Sequence, residues 1–234
     1  MTSAIVAMGG GGFSEEPDNP LLDGFVLGLA RRQHPRVCFL GTASGDADSY
    51  VARFYRAFVD RDCYPSDLSL FNREVGDLRR YLLEQDVIYV GGGNTASLLA
   101  VWRAHGLDVI LRDALSGGAV LCGVSAGMNC WFEASVTDSF GPALAPLDDG
   151  LGFLVGSACP HYDADEHRRP IYHRLVAAGF PAGYAADDGA ALHFADADEL
   201  VEVVASREGA RGYRVERRPD GAAVEIPLPT RYLW

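Results

Sequence analysis

Short apolar runs alternate with amphipathic stretches through the first half of the chain. Ala4–Met8, Val37–Leu40, Val87–Val90 and Ala119–Cys122 are continuous apolar runs, and each closes on glycine: Gly9 to Gly12, Gly41, Gly91 to Gly93 and Gly123. Uninterrupted runs of this length fit strands buried on both faces. Between them Tyr50, Phe54, Tyr55 and Phe58 recur at helical spacing. Helices are also predicted after Asn19-Pro20, over Leu78–Leu83, over Thr95–His105 and near Val109–Leu115. Asn is a good helix cap and Pro suits a first helical turn. A shorter strand is predicted at Leu68–Phe71, and a helix-compatible stretch at Met128–Phe132.

Buried strands alternating with helices predict an α/β fold, a mostly parallel sheet with helices on both faces. Ligands bind such sheets beyond the carboxyl ends of the strands. The glycine-rich ends after Met8, Val90 and Cys122 are therefore the places to look for chemistry. From Gly183 onward the pattern changes to short strands: Ala190–Phe194, Leu200–Ala205, Gly212–Arg217 and Ala222–Ile226, with a turn at Pro219-Asp220-Gly221. The expectation is a single α/β domain over 1–234, with 183–234 a mostly β, antiparallel extension.

Composition narrows the function. The chain has 234 residues, 48% of them hydrophobic, enough for a sizeable core. No apolar run approaches the roughly 20 residues of a membrane span, and no signal peptide is read at the N-terminus. A cytoplasmic location is the default expectation. The net charge is −12 and the pI about 4.8, so a phosphate backbone would be repelled and nucleic acid is not an expected partner. All 20 basic residues are arginine. Without lysine there is no P-loop, Schiff-base enzyme or Ser-Lys dyad. The five cysteines, Cys38, Cys63, Cys122, Cys130 and Cys159, show no C-x-x-C spacing, so buried, reduced thiols are expected rather than zinc ligands or a disulfide framework.

Gly123-Val124-Ser125-Ala126-Gly127 matches G-x-S-x-G. It follows a buried strand and precedes a helix-compatible stretch, the context a nucleophile elbow requires. Ser125 is the candidate nucleophile. The N–H of Ala126 and those of the Gly91-Gly92-Gly93-Asn94 strand end are candidate oxyanion donors. Among the six histidines, His161 follows Pro160 at a strand end and is the candidate base. His167 and His173 fall in a predicted helix, and His34 and His105 follow helices. Asp187, Asp188 and Asp138 are candidates for the carboxylate that orients the base, and spacing does not choose among them.

Val-Gly-Gly-Gly-Asn at 90–94, Gly-Val-Ser-Ala-Gly at 123–127, Pro-His-Tyr at 160–162 and Ala-Asp-Asp-Gly-Ala-Ala-Leu at 186–192 occur in this order. Together they resemble the peptidase E family of serine peptidases, which includes dipeptidase E and cyanophycinase. The resemblance spans roughly 1–205. It implies a flavodoxin-like core related to class I glutamine amidotransferases, a Ser-His-acid triad, and no metal or cofactor. Carried over, the serine falls on Ser125, the histidine on His161, and the oxyanion donors on Gly92 and Ala126. The acidic position, often glutamate in the family, falls on Asp188, with Asp187 competing. The implied reaction is hydrolysis of short peptides, with N-terminal aspartate or β-linked aspartate–arginine as candidate substrates. Asn94, Arg168 and Arg169 are the candidate substrate-binding residues, and a homo-oligomer is expected.

Rival readings stand beside this one. His161, Asp163, Asp165, Glu166 and His167 crowd seven positions and suit a divalent metal, though no H-E-x-x-H signature is present. Gly9 to Gly12 does not begin a G-x-G-x-x-G match, because Ser14 and Glu15 occupy the third glycine's places; it is read as a tight turn beside the site. A non-catalytic binding protein on the same fold is a further alternative. Cys122 lies inside the strand, not at the elbow, so a cysteine amidotransferase is not expected.

Overall fold

The computed structural model describes residues 3–164, 166–196 and 199–234. The strands are β1 (Ala4–Met8), β2 (Arg36–Leu40), β3 (Tyr64–Asp67), β4 (Val87–Val90), β5 (Val120–Val124), β6 (Phe132–Thr137), β7 (Ala145–Leu147), β8 (Leu154–Cys159), β9 (Gly183–Ala186), β10 (Ala190–Ala195), β11 (Glu199–Ala205), β12 (Gly212–Arg217), β13 (Ala223–Pro227) and β14 (Thr230–Tyr232). The helices are α1 (Gly12–Glu15), α2 (Leu21–Leu29), α3 (Asp48–Phe58), α4 (Leu78–Leu83), α5 (Thr95–His105), α6 (Leu107–Gly117), α7 (Ala126–Asn129) and α8 (Arg168–Ala177).

The larger sheet runs β14-β11-β10-β1-β5-β4-β2-β3. Its centre, β1-β5-β4-β2-β3, is parallel throughout. Successive side chains of a strand face opposite sides. Ile5 and Ala7 therefore pack toward α4, α5 and α6, while Val6 and Met8 pack toward α1, α2 and α3. The second face is aromatic. Phe13 of α1 meets Phe39, Tyr50, Phe54, Phe58 and Tyr89 with ring centroids 5.1–5.7 Å away. That contact staples the glycine-rich turn after β1 to the core, and truncating such a ring costs about 3–5 kcal/mol.

A second sheet runs β13-β12-β9-β8-β6-β7 and carries α8. The chain alternates between the sheets: β1–β5 in the larger, β6–β9 in the smaller, β10–β11 back, β12–β13 across again, and β14 on the larger. Residues from 183 onward thus supply strands to both sheets.

Two local expectations are corrected. The strand expected at Leu68–Phe71 lies earlier, at Tyr64–Asp67, because it is residues 64–67 that pair with β2. Leu68 and Leu70 are buried in the following loop, where Asp46 Oδ2 accepts from Leu70 N and Phe71 N at 2.6 and 3.0 Å. The helix expected over Met128–Phe132 is the single turn α7, and Phe132 opens β6.

Asp23 lies fully buried under α1, with its carboxylate 3.2 Å from Arg61 Nη2 and 3.1 Å from Tyr89 Oη. Burial outweighs the arginine and pushes its pKa from 3.8 up to about 6. An acid raised on folding binds more protons in the folded state. The stability it contributes is full below pH 3.8 and is lost as pH rises through about 6. The Asp23→Asn variant has no charge to bury. Relative to that variant, wild type is expected to lose about 2 kcal/mol of unfolding free energy between pH 4 and 7. Urea titrations across that range check it; a flat difference would show that Asp23 ionises as freely folded as unfolded.

Candidate active site

Three parts of the chain hang from consecutive carbonyls at the end of β1. Ser125 N donates to Met8 O, His161 N to Gly9 O, and Gly189 N to Gly10 O, each at 3.1 Å. This gathers the end of β5, the end of β8 and the turn from β9 to β10 at one point, the carboxyl end of the parallel sheet.

Ser125 sits at φ 58°, ψ −110°, between β5 and the one-turn helix α7. The glycines on either side are required by space. A Cβ on Gly123 would lie 2.5 Å from Gly127 O, and one on Gly127 would lie 2.5 Å from Val90 O. His161 also has a left-handed backbone, φ 53°. Among the described residues only four non-glycine positions have positive φ, and two of them are Ser125 and His161. Such conformations cost about 1–3 kcal/mol each and persist where the surroundings over-determine them. Here the backbone bonds to Met8 and Gly9 do so.

The imidazole of His161 is mostly buried, and its Nδ1 is 2.6 Å from Asp188 Oδ1. Asp187 turns the other way. Its Oδ2 accepts from Arg211 N at 3.0 Å and from Tyr213 Oη at 3.1 Å. Burial raises its pKa above the usual carboxylate value, with Asp163 nearby adding to the rise. Asp138 pairs instead with Arg168, 3.8 Å away. The Asp188 turn is clamped from outside. Asp188 N donates to Asp163 Oδ1 at 2.7 Å, and Arg207 Nε donates to Asp188 O at 2.8 Å while its Nη2 reaches Asp163 Oδ2 at 2.9 Å.

Ala126 N opens α7, where no earlier turn can accept its hydrogen. Gly92 lies against the serine: a Cβ there would be 3.3 Å from Ser125 Cβ and 3.8 Å from its Oγ. The N–H of Gly92, however, donates to Tyr50 Oη at 3.0 Å, and that hydroxyl is also 2.5 Å from Ser14 Oγ. The expected oxyanion donor is thus engaged by a tyrosine from α3. None of the described hydrogen bonds joins Ser125 Oγ to the His161 ring, a looseness common in unliganded sites.

The expected substrate contacts are committed elsewhere. Asn94 caps α5, accepting from Ser97 N at 2.8 Å, and its amide donates to Ser139 O at 2.9 Å. Arg168 is buried beside Asp138. Arg169 is 3.4 Å from Glu225 and stacks over Tyr162 and Tyr213. The residues that the rival metal reading drew from 161–167 do not form a described cluster: His167 pairs with Glu166, Asp163 pairs with Arg207, and Asp165 lies outside the described residues. Glu15, His161 and Asp188 do offer ligand atoms within 4.8 Å of one another. None of the five cysteines is in a disulfide; four are buried and Cys63 is half-buried. Burial raises the Cys122 thiol well above its usual pKa, as suits an unreactive core residue.

Sequence reading missed Glu15, whose Oε1 is 3.9 Å from His161 Nε2 and whose Oε2 accepts from Gly11 N at 2.9 Å. The signal was present in the glycine run that ends three residues before it. Tyr50 and Arg207 left no such trace, since each reaches the site from a distant segment.

Residues 5–201 match peptidase family S51. The chain belongs to that family. It is 56% identical over 230 residues to the uncharacterized peptidase YgaJ of Bacillus subtilis, covering 98% of each chain. It is 33% identical over 128 residues to peptidase E of Streptomyces coelicolor, about half of each chain. Among solved structures, a putative peptidase E from Listeria monocytogenes superposes with a TM-score of 0.62 at 19% identity, covering 87% of this chain and 97% of that one. A peptidase from an acI-B1 Actinobacterium superposes with a TM-score of 0.68 at 17% identity, covering 97% and 94%. The S51 chain is thus a peptidase on the α/β fold expected from its pattern. No helix among the described residues is long and apolar enough to cross a membrane.

Gly10 tests how the site is assembled. A Cβ there would collide with Asp188 Oδ1 and lie 2.7 Å from Glu15 Oε2. Gly10→Ala is expected to displace the Asp188 carboxylate and cost about 100-fold or more in turnover, with the far-ultraviolet circular dichroism unchanged. Unchanged turnover would show that the close approach at Gly10 is unimportant.

Proposed function

We propose that this chain is a serine peptidase acting on short peptides, with Ser125 as nucleophile, His161 as base and Asp188 as the orienting acid. The observation that carries the reading is the 2.6 Å contact between His161 Nδ1 and Asp188, on a residue held by the carbonyl next to the one that holds Ser125. With Nδ1 occupied by the carboxylate, Nε2 is the nitrogen left to accept a proton. His161 Nε2 takes the hydroxyl proton as Ser125 Oγ bonds to the peptide carbonyl. The N–H of Ala126 faces the charge that develops on the carbonyl oxygen. The C–N bond then breaks, and the amine leaves with the proton from His161. Water, deprotonated by the same nitrogen, releases the acid and restores the serine. Gly92 contributes space beside the serine, and its N–H joins the oxyanion site only when Tyr50 releases it. Arg168 and Arg169 are both engaged, so a requirement for N-terminal aspartate is not part of the proposal.

Peptide hydrolysis followed by mass spectrometry, over neutral, Asp-X and β-aspartyl-arginine dipeptides and longer peptides, tests the reading. Ser125→Ala is expected to abolish cleavage and labelling by a fluorophosphonate. Asp188→Asn is expected to lower kcat about 10⁴-fold, while Asp187→Asn, whose carboxylate faces Tyr213, changes it less than tenfold. Cleavage retained in Ser125→Ala and lost to a chelator would favour a metal-dependent hydrolase built on Glu15, His161 and Asp188 instead.

A further inference from the structure

Tyr50 stands where the substrate's carbonyl oxygen was expected. Its hydroxyl accepts the N–H of Gly92 at 3.0 Å, and Gly92 lies against the nucleophile, a Cβ there being 3.3 Å from Ser125 Cβ. On its other side the phenol feels the charge of Glu15, whose carboxylate is 3.9 Å from His161 Nε2. The hydroxyl is thus bracketed by the serine and histidine sides of the site.

The tyrosine is not free to leave. It is 5% exposed. Its ring packs on Phe39 and Phe13, with centroids 5.1 and 5.7 Å away. It fills the space that Gly91 leaves open, where a Cβ would stand 2.9 Å from Tyr50 Cε1. The Arg53 guanidinium covers the ring at 4.6 Å, and its Nη1 donates to Ser14 O at 3.2 Å. A phenol oxygen has two lone pairs and one hydrogen. Gly92 N–H fills one lone pair, and Ser14 Oγ, 2.5 Å away, fills the other when it donates. Tyr50 then has its own hydrogen left over, and none of the described hydrogen bonds gives it a further acceptor. Burial, with the Glu15 charge adding to it, holds the tyrosine pKa above its usual value, so that hydrogen is kept at neutral pH.

We infer that the Tyr50 hydroxyl is the second oxyanion donor beside Ala126 N–H, with Gly92 N–H and Ser14 Oγ holding it in place. The inference rests on the serine-peptidase reading above and deepens it. With the ring fixed, Gly92 acts on the oxyanion through Tyr50 rather than directly. A hydroxyl that accepts two hydrogen bonds is polarised and donates more strongly. The proton stays on Tyr50 throughout. Its hydrogen bond meets a charge that forms only once Ser125 Oγ bonds to the carbonyl carbon, so the gain falls on the transition state and not on the bound substrate.

Tyr50→Phe keeps the ring and removes the donor. It is expected to lower kcat about 100-fold, with KM within about threefold. A peptide aldehyde, which adds Ser125 Oγ and places an oxyanion, should lose affinity by a similar factor. The matching peptide alcohol, which forms no adduct, should bind wild type and variant alike, and its binding also reports that the variant is folded. An unchanged kcat, a raised kcat (the sign of a latch that withholds Gly92 N–H), or equal losses for aldehyde and alcohol would each overturn the inference and leave the serine reading standing. Cleavage by Ser125→Ala at the wild-type rate would overturn the serine reading, and the inference with it.

Discussion

Three peptide carbonyls in a row, those of Met8, Gly9 and Gly10, hold the site together. Each accepts an N–H from a different part of the chain: the elbow after β5, the histidine after β8 and the turn before β10. Consecutive Cα atoms are about 3.8 Å apart, so this arrangement sets the spacing of Ser125, His161 and the Asp188 turn through backbone alone. Side chains would prevent it. A Cβ on Gly9 would collide with the carbonyl of Ala186 and stand 2.5 Å from that of Asp187. The glycine run is thus part of how the site is assembled.

Much of this was legible. The parallel strands announced themselves as uninterrupted apolar runs because both their faces are covered. The elbow was legible because steric necessity fixes small residues at 123 and 127. The choice between Asp187 and Asp188 was not, since adjacent side chains point to opposite sides and only the docking of Gly9 decides which one meets His161. Strand β3 was missed because it is an edge strand, Tyr-Pro-Ser-Asp, whose polarity and proline suit an edge, while the apolar alternation lay in the loop that follows. Strands β6 and β7 were missed because a one-turn helix left too little periodicity to end the helical reading at Asn129.

The electrostatics are uneven in a useful way. A chain of net charge −12 gathers five carboxylates, those of Glu15, Glu16, Asp163, Asp187 and Asp188, at its candidate site. Arg207 offsets two of them, and it also clamps the backbone of Asp188. One arginine therefore carries both charge balance and geometry at the acid. A lysine there would offer a point charge without the fork that reaches Glu16, Asp163 and the Asp188 carbonyl together.

The path of the chain between the two sheets carries a consequence of its own. Ser125 lies on the first crossing from the larger sheet to the smaller, and Asp187-Asp188-Gly189 forms the crossing back. His161 follows a strand of the smaller sheet yet is moored to a carbonyl of the larger. The candidate catalytic residues therefore straddle a seam rather than resting on either slab. Heating or denaturant that loosens the smaller sheet alone would part them while the parallel core stays whole. Loss of turnover is then an early gauge of that seam, read out before the bulk of the ordered backbone melts.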